Sequence, residues 1–121
     1  IDDVVQRTRD NARITVALAL NYGGRDEILR AIKKWRENFQ FSNSNFQLNE
    51  KEFEKYLDTA GIPDPDMIVR TGGEQRLSGF LPWQSVYSEL YFPSWYMPEF
   101  TPEKLDEVIE EFNHRKRRFG R

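Results

Sequence analysis

Cysteine is absent from this chain of 121 residues, and histidine occurs once, as His114. Without a thiol, the chain can form no disulfide, offers no cysteine nucleophile and cannot hold zinc through thiolates. The lack of cysteine also fits a reducing compartment such as the cytoplasm. The histidine lies in a basic stretch near the end of the chain, where a solvated or dipole-complementing role is favoured over catalysis.

Long apolar runs and an excess of one charge are also missing. No run is long enough to cross a bilayer, so any membrane contact is expected to be peripheral. The 18 basic residues nearly balance the 20 acidic ones, which gives no reason to expect a nucleic-acid-binding protein. Partners must therefore be sought in local patterns.

The first residues indicate a piece of a longer protein. The chain opens without an initiator methionine, and one side of an uncapped helix carries Ile1, Val4, Val5 and Thr8. We expect this segment to be the tail of a helix that begins upstream. The length of 121 residues suits about one small domain.

Hydrophobic periodicity predicts alternating strands and helices. Apolar runs predict strands at 14–20, 67–69 and 90–92. Helical spacing predicts helices at 25–39 and 81–89. A capping box of Asn49 and Glu52 predicts a third helix that closes at Gly61, and Thr101 as N-cap with Pro102 after it predicts the start of a final helix. This order predicts an α/β fold with a mostly parallel sheet and helices on both faces, completed by upstream strands.

Residues 68–78 form the most informative pattern, because an apolar strand runs into a glycine turn flanked by two arginines and a serine. Arg70 is placed at the carboxyl end of the strand, where open α/β sheets bind their ligands. The paired glycines that follow allow positive φ and a close approach of the backbone to a bulky anion. Arg76 and Ser78 then return toward Arg70, and guanidinium, hydroxyl and backbone N–H groups can together surround a phosphate. The segment therefore predicts an anion site for a phosphate-bearing substrate.

Each glycine turn also has a purely structural interpretation. The arginines of 70–78 could instead pair with nearby carboxylates such as Glu74. We favour the anion site because the strand-end position, the paired glycines and the convergent donors agree. Asn-Tyr-Gly-Gly-Arg at 21–25 is a second such turn, and there an ordinary strand-to-helix connection is favoured over ligand contact.

Glu89 is a carboxylate between Tyr87 and the apolar run 90–92, which predicts partial burial and therefore a compensating partner. Two partners remain open: an arginine, or Mg²⁺, which is commonly held by one or two carboxylates together with substrate phosphates. The surrounding aromatic residues are favoured as core or subunit interface. The basic residues at 115–121 are favoured as a solvated helix end, with anion binding or a reach toward another subunit as the alternative.

Together these residues resemble the cis-prenyltransferases of the undecaprenyl diphosphate synthase type. The resemblance covers essentially the whole chain in family order and is carried by residues 21–25, 65–66, 68–78, 83–84, 87–92 and 117–120. Members of that family condense isopentenyl diphosphate onto an allylic diphosphate, use Mg²⁺, have a parallel-sheet fold and form dimers. The resemblance implies a cytoplasmic homodimer that makes a polyprenyl diphosphate, meets membranes peripherally through its lipid product and binds no nucleic acid.

Position by position, the resemblance implies that Arg70, Arg76 and Ser78, with the backbone around Leu77, bind the diphosphate of isopentenyl diphosphate. It also implies that Glu89 is the Mg²⁺-associated glutamate. The aromatic and apolar residues after this glutamate match a segment of the dimer interface. The terminal Arg-Arg-Phe-Gly matches a tail that in relatives reaches toward the partner's active site.

The chain also departs from the family pattern. Gly79 and Pro82 stand where relatives frequently have Asn and Leu. The family's Asp-Gly-Asn-Gly-Arg loop, with its catalytic aspartate, and its Ser-Thr-Glu-Asn segment do not occur in residues 1–121. The resemblance therefore implies that residues 1–121 are the C-terminal part of a single cis-prenyltransferase domain, contain no catalytic residue and are inactive alone.

Two other functions compete with this interpretation. A non-catalytic partner subunit of a heteromeric cis-prenyltransferase would lack the substrate-binding arginines, and the joint presence of Arg70, Arg76, Ser78 and Glu89 speaks against it. A nucleic-acid module that uses the basic terminus predicts a steeply salt-dependent affinity for DNA or RNA. The balanced charge of the chain gives that function no support.

Overall fold

The computed structural model describes residues 1–39 and 48–115. In chain order, its elements are helix α1 (Asp2–Thr8), helix α2 (Gly24–Phe39), helix α3 (Glu50–Glu54), strand β1 (Met67–Val69), strand β2 (Glu89–Tyr91), a 3₁₀ turn (Met97–Glu99) and helix α4 (Pro102–His114). The terminal motif at 117–120 lies outside the described residues. None of the described helices is both long enough and apolar enough to cross a membrane.

Strands β1 and β2 pair in parallel, with Met67 opposite Glu89 and Val69 opposite Tyr91. The pairing continues past β1, since the Arg70 N–H donates to the Tyr91 carbonyl at 2.9 Å. Both predicted strands are thus confirmed, and β2 begins one residue earlier than its apolar run. The register places Arg70 at the carboxyl edge of the sheet.

The hydrophobic core lies between α2, α3 and the turn that carries Trp83. Ala31, Phe53 and Leu57 are buried, and the partly buried Ile28 and Trp83 pack against them. The ring centroids of Phe53 and Trp83 are 4.7 Å apart. The apolar residues of α2 and α3 that meet here are spaced three and four apart, so each helix contributes one face to this core.

Two helices begin at the residues that the capping patterns predict. Asn49 Oδ1 accepts a hydrogen bond from the Glu52 N–H at 3.1 Å. Thr101 Oγ1 accepts one from the Lys104 N–H at 3.4 Å, and Pro102 follows it at the first helical position. Each cap satisfies one of the backbone donors that the first turn leaves unpaired.

Helix α3 is shorter than its sequence pattern predicts, because it ends at Glu54. The Leu57 N–H then bonds to the Glu54 carbonyl at 3.2 Å, and the Ala60 N–H bonds to the Leu57 carbonyl at 3.2 Å. These bonds between residues three apart tighten the chain into turns. The segment ends at Gly61, whose φ of +83° is left-handed.

The predicted strand at 14–20 is wrong for this structure. Residues 14–19 adopt no regular secondary structure, and the side chains of Ile14, Val16 and Leu18 are 79, 78 and 71% exposed. A parallel strand needs neighbouring strands for its backbone groups and packed layers on its faces. Within the described ranges, no backbone group bonds to 14–19, so the apolar run has neither.

The predicted helix at 81–89 is also wrong. Residues 82–87 form successive turns, in which the Ser85 N–H bonds to the Leu81 carbonyl at 3.0 Å. Leu81 itself has a left-handed φ of +46°, which a continuous right-handed helix does not accommodate. The segment 82–87 therefore connects the glycine loop to β2 through turns.

Helix α1 confirms the expected helical start. Ile1 is its N-cap without a side-chain capping bond, and none of its residues is buried. Val4 and Val5 are 59 and 58% exposed. The apolar side predicted for this helix is therefore present but uncovered in this structure.

Candidate functional site

The loop 70–78 leaves the carboxyl end of β1 and folds back on itself. Arg70 Nη1 donates to the Arg76 carbonyl at 2.8 Å and to Ser78 Oγ at 3.0 Å. The guanidinium of Arg70 thus closes the loop by binding two neutral acceptors. The convergence of Arg70 with the Arg76 backbone and the Ser78 hydroxyl, which the sequence predicts, is present in the structure.

The paired glycines hold this loop against the segment after β2. Gly72 and Gly73 have φ of +88° and +71°, values that favour glycine. Their N–H groups donate to the carbonyls of Trp95 and Pro93, each at 2.8 Å. These two donors therefore anchor the loop and do not point toward a ligand.

Other backbone donors of the loop remain available. The N–H groups of Leu77 and Ser78 have no hydrogen-bond partner within residues 1–39 and 48–115. They lie next in sequence to the Arg76 carbonyl that Arg70 binds. A set of unused N–H groups beside a guanidinium and a hydroxyl has the donor chemistry that a diphosphate requires.

The side chain of Arg76 lies on Glu74, as the structural interpretation of this turn predicts. The side chains of Arg76 and Glu74 are 58 and 55% exposed, and an exposed ion pair contributes at most about 1 kcal/mol. A multiply charged anion could therefore displace Glu74 at little cost. The structure brings Arg70 and Ser78 together, but it directs the Arg76 side chain to a carboxylate.

Glu89 lies at the amino end of β2, opposite Met67. Its Oε2 accepts a hydrogen bond from Arg115 Nη1 at 3.1 Å, and the same nitrogen donates to the Leu90 carbonyl at 2.8 Å. Burial lowers the pKa of Arg115, but hydrogen bonds to Glu111 and Glu89 outweigh this, so its pKa lies above the ordinary value. Of the two partners predicted for Glu89, the structure contains the arginine.

The residues around Glu89 fit a metal ion only in part. Within the described ranges, no group of three His, Cys, Asp or Glu side chains is placed to hold one. Mg²⁺ does not require such a group, because one or two carboxylates plus substrate phosphates suffice. Glu89 Oε1 has no partner among the described residues, so this glutamate fits the role of a single carboxylate ligand.

A buried polar cluster that the sequence did not predict joins α2 to Gln84. Glu27 and Gln84 are 1 and 3% exposed, and Gln84 Nε2 donates to both carboxylate oxygens of Glu27 at 3.2 Å. The Tyr22 hydroxyl also donates to Glu27, and burial and this hydrogen bond raise the pKa of Tyr22 well above its ordinary value. One signal was available: Glu27 precedes the buried Ala31 by four residues and so shares its helix face.

The chain is similar to known proteins over its whole length. The family model for undecaprenyl diphosphate synthases matches residues 1–120. The isoprenyl transferase of Clostridium acetobutylicum is 44% identical over 124 residues, covering 99% of this chain and 48% of that protein. A probable undecaprenyl diphosphate synthase from Campylobacter jejuni superposes with a TM-score of 0.80 at 37% identity, covering 99% of this chain and 54% of that chain.

A second solved structure gives a higher TM-score at lower identity. Lavandulyl diphosphate synthase from Lavandula x intermedia, in complex with dimethylallyl diphosphate, superposes with a TM-score of 0.89 at 31% identity and covers 99% of this chain and 54% of that chain. The fold is therefore the α/β fold of the cis-prenyltransferases. The chain belongs to the undecaprenyl diphosphate synthase family. It spans about half the length of the curated relatives it matches.

Proposed function

We propose that the intact protein is a cis-prenyltransferase, which condenses isopentenyl diphosphate onto an allylic diphosphate to make a polyprenyl diphosphate. In this proposal, residues 1–121 are the C-terminal part of one domain. The family match supports the reaction class. The observation that carries the substrate assignment is the contact of Arg70 with the Arg76 carbonyl and Ser78 Oγ at the carboxyl end of β1.

The loop 70–78 binds the diphosphate of isopentenyl diphosphate. Arg70 supplies a charge that no described carboxylate neutralises, and Ser78 supplies a hydroxyl beside it. The free N–H groups of Leu77 and Ser78 complete the donor set. Arg76 joins them when the diphosphate replaces Glu74, because a guanidinium binds phosphate oxygens through two parallel hydrogen bonds.

Glu89 supplies one carboxylate to Mg²⁺, and bound Mg²⁺ neutralises negative charge on a diphosphate. The aspartate that works with it in relatives is not contained in residues 1–121. Arg115 binds Glu89 in this structure and so keeps the half-buried carboxylate compensated. Oε1 of Glu89, which has no partner among the described residues, is the oxygen left for a metal ion while Arg115 holds Oε2.

The proposed reaction depends on position and charge. Holding isopentenyl diphosphate by its diphosphate places its alkene against the allylic carbon, which converts a bimolecular encounter into an oriented one. The carbon–carbon bond forms as the allylic C–O bond breaks, and the electron pair of that bond leaves with the diphosphate oxygen, where negative charge develops. The isopentenyl unit then loses a proton, and the electrons of the broken C–H bond restore a double bond in the product. The loop 70–78 contributes the orientation, while Glu89 contributes to the charge balance.

The partners of the intact protein are proposed on the same basis. We propose a cytoplasmic homodimer whose interface includes the aromatic and apolar residues after Glu89, with peripheral membrane contact through its lipid product. The allylic substrate is supported by the Lavandula relative, which was solved with dimethylallyl diphosphate. The composition supports no nucleic-acid partner, since basic and acidic residues nearly balance.

Arg70→Ala in the full-length protein tests the assignment of the loop. Charge-assisted hydrogen bonds contribute about 1.5–3 kcal/mol each, so the KM for isopentenyl diphosphate is expected to rise about 10- to 100-fold with a lower turnover. Arg70→Lys is expected to fall between the wild type and the alanine variant, because lysine keeps the charge but loses the planar fork. The measurement is incorporation of radiolabelled isopentenyl diphosphate at saturating allylic substrate.

Arg36→Ala is the matched control for this experiment. Arg36 is an exposed arginine of α2 and is expected to leave both kinetic constants unchanged. Kinetics of Arg70→Ala that match those of Arg36→Ala would remove the loop from the substrate site.

A further inference from the structure

The chain turns a corner at residues 78–82, directly after the loop 70–78, and the backbone of this corner is unusual. Ser78, Gly79 and Leu81 have φ of +50°, +79° and +46°. Left-handed conformations are unfavourable for serine and leucine and persist only where the surroundings hold them. Ser78 is also the residue whose hydroxyl Arg70 binds. Whatever holds this corner therefore also fixes one wall of the proposed diphosphate site.

The start of α2 holds the corner by direct contact. The Gly24 N–H donates to the Gly79 carbonyl at 3.0 Å. A Cβ atom at position 24 would lie 2.0 Å from Pro82 Cδ, so glycine is required for the approach. The Tyr22 ring meets the Phe80 ring edge-on, with centroids 5.7 Å apart. The turn at 21–25, which no strand precedes in the described part of the chain, is thus packed against the corner.

Glu27 extends this contact into the interior. Its Oε1 accepts from the Asp58 N–H at 2.9 Å, and Gln84 Nε2 donates to both of its oxygens at 3.2 Å. Gln84 Nε2 also donates to Thr59 Oγ1 at 2.8 Å. The network therefore connects α2 to the turns after α3 and to Gln84, which lies two residues after Pro82.

The composition of this network favours a role in placement. Within the described ranges, the buried carboxylate of Glu27 forms no ion pair and is held by neutral donors. A carboxylate without a cation is a costly way to fill a core, which an apolar residue would fill better. Hydrogen bonds are directional, however, and they fix positions that apolar packing leaves looser.

We propose that Tyr22, Glu27 and Gln84 are positioning residues that hold the corner 78–82, and through it Ser78, in the geometry that binds the diphosphate of isopentenyl diphosphate. None of the three touches the loop's donor groups directly. They act through the Gly24–Gly79 hydrogen bond and the packing of Tyr22 on Phe80. The inference rests on the function proposed above.

A purely stabilising cluster and a positioning cluster predict different measurements. Loss of a stabilising cluster lowers the melting temperature, but the molecules that remain folded bind both substrates normally. Loss of a positioning cluster weakens binding of isopentenyl diphosphate by the folded protein and leaves binding of the allylic diphosphate unchanged. The affinity for each substrate alone therefore separates the two, and calorimetric titration without the second substrate avoids turnover.

The test uses Glu27→Gln, Gln84→Glu and the double exchange in the full-length protein. Glu27→Gln keeps the shape of the side chain but places an amide NH₂ group against the donors that bind the Glu27 carboxylate in the wild type. Gln84→Glu places a second carboxylate against that of Glu27. Each single variant is expected to raise the Kd for isopentenyl diphosphate about tenfold. The exchange restores a donor opposite an acceptor and is expected to return the Kd to within about threefold of wild type. The Kd for dimethylallyl diphosphate is expected to stay constant throughout.

Two further variants serve as controls for the measured Kd values. Glu37→Gln changes an exposed glutamate on α2 and is expected to change neither Kd. If a buried variant does not fold, Tyr22→Phe removes only the hydroxyl, and it is expected to weaken isopentenyl diphosphate binding in the same selective way. Lower melting temperatures with an unchanged Kd for isopentenyl diphosphate would overturn the positioning role.

The same titration with Arg70→Ala tests the proposed function separately from the positioning role. If Arg70→Ala weakens isopentenyl diphosphate binding while the buried variants do not, the positioning inference fails and the substrate assignment stands. If Arg70→Ala leaves binding unchanged, the substrate assignment fails, and the inference that rests on it is overturned as well.

Discussion

The two arginines of the loop 70–78 differ in what compensates their charge. Arg70 donates to a carbonyl and a hydroxyl and forms no ion pair within the described residues, whereas Arg76 pairs with Glu74. A guanidinium bound only by neutral acceptors keeps its full charge for an incoming anion. We therefore propose Arg70 ahead of Arg76 as a ligand of the diphosphate, although the sequence pattern treats the two arginines alike.

The metal role that we propose for Glu89 leads to a second prediction about single residues. Glu89→Gln in the full-length protein is expected to raise the Mg²⁺ concentration for half-maximal activity about tenfold, because an amide oxygen is a weaker ligand for a hard cation than a carboxylate. The measurement is a magnesium titration of activity at saturating substrates.

Glu111→Gln is the matched control for that titration. Glu111 and Glu89 both bind Arg115, so both variants remove one negative charge beside the same arginine. Only Glu89→Gln removes the proposed ligand. Coincident Mg²⁺ curves for the two variants would contradict the metal role of Glu89.

At the scale of elements, the contact between the start of α2 and the corner 78–82 leaves no room for a side chain. Gly24→Ala in the full-length protein is expected to lower the free energy of unfolding by about 1–3 kcal/mol, the usual cost of overpacking. The added Cβ would lie 2.0 Å from Pro82 Cδ and 2.5 Å from the Gly79 carbonyl oxygen. Urea denaturation measures the change.

The neighbouring glycine provides the control. A Cβ at Gly23 would have its nearest contact at 3.8 Å, with Asp26 Cβ, which is an ordinary van der Waals distance. Gly23→Ala is therefore expected to change the free energy of unfolding by less than about 1 kcal/mol. Equal losses at Gly23 and Gly24 would show that the contact with the corner is not the cause.

The sequence predicts best those elements whose signals are local. The N-caps Asn49 and Thr101 and the strands β1 and β2 are confirmed, because caps and short apolar runs act over a few residues. The strand at 14–20 and the helix at 81–89 are wrong: the first depends on neighbouring strands, and the second is replaced by successive turns that follow a left-handed Leu81. Tertiary context decided both.

The same distinction between short-range and long-range signals applies to the candidate site. The return of Ser78 toward Arg70 spans eight positions and follows from a strand end and a glycine turn. The hydrogen bonds between Glu27 and Gln84 span 57 positions, and no periodicity connects residues that far apart. The fold of the loop was therefore predictable from the sequence, whereas the cluster around Glu27 became visible only in the fold.

At the scale of the whole molecule, much apolar surface of this chain is uncovered. Helix α1 buries none of its residues, and Ile14, Val16, Leu18 and Leu20 are 65–79% exposed. The chain also spans about half the length of its curated relatives. We propose that these faces pack against the rest of the cis-prenyltransferase domain in the intact protein, because contiguous apolar surface normally marks a contact.

The last prediction concerns the whole molecule: residues 1–121 alone are expected not to catalyse the condensation. They contain the loop proposed for one diphosphate and a single proposed metal carboxylate, but no Asp-Gly-Asn-Gly-Arg loop, which the family resemblance implies for the other diphosphate. Orientation of two reactants can lower a barrier by about 7–11 kcal/mol, and each lost donor at a developing charge costs about 10²–10³ in rate. Incubated with radiolabelled isopentenyl diphosphate, an allylic diphosphate and Mg²⁺, residues 1–121 are expected to form no extractable polyprenyl product, whereas the full-length protein does. Circular dichroism checks that the helices are formed, and product from the isolated chain would place the whole catalytic machinery within these 121 residues.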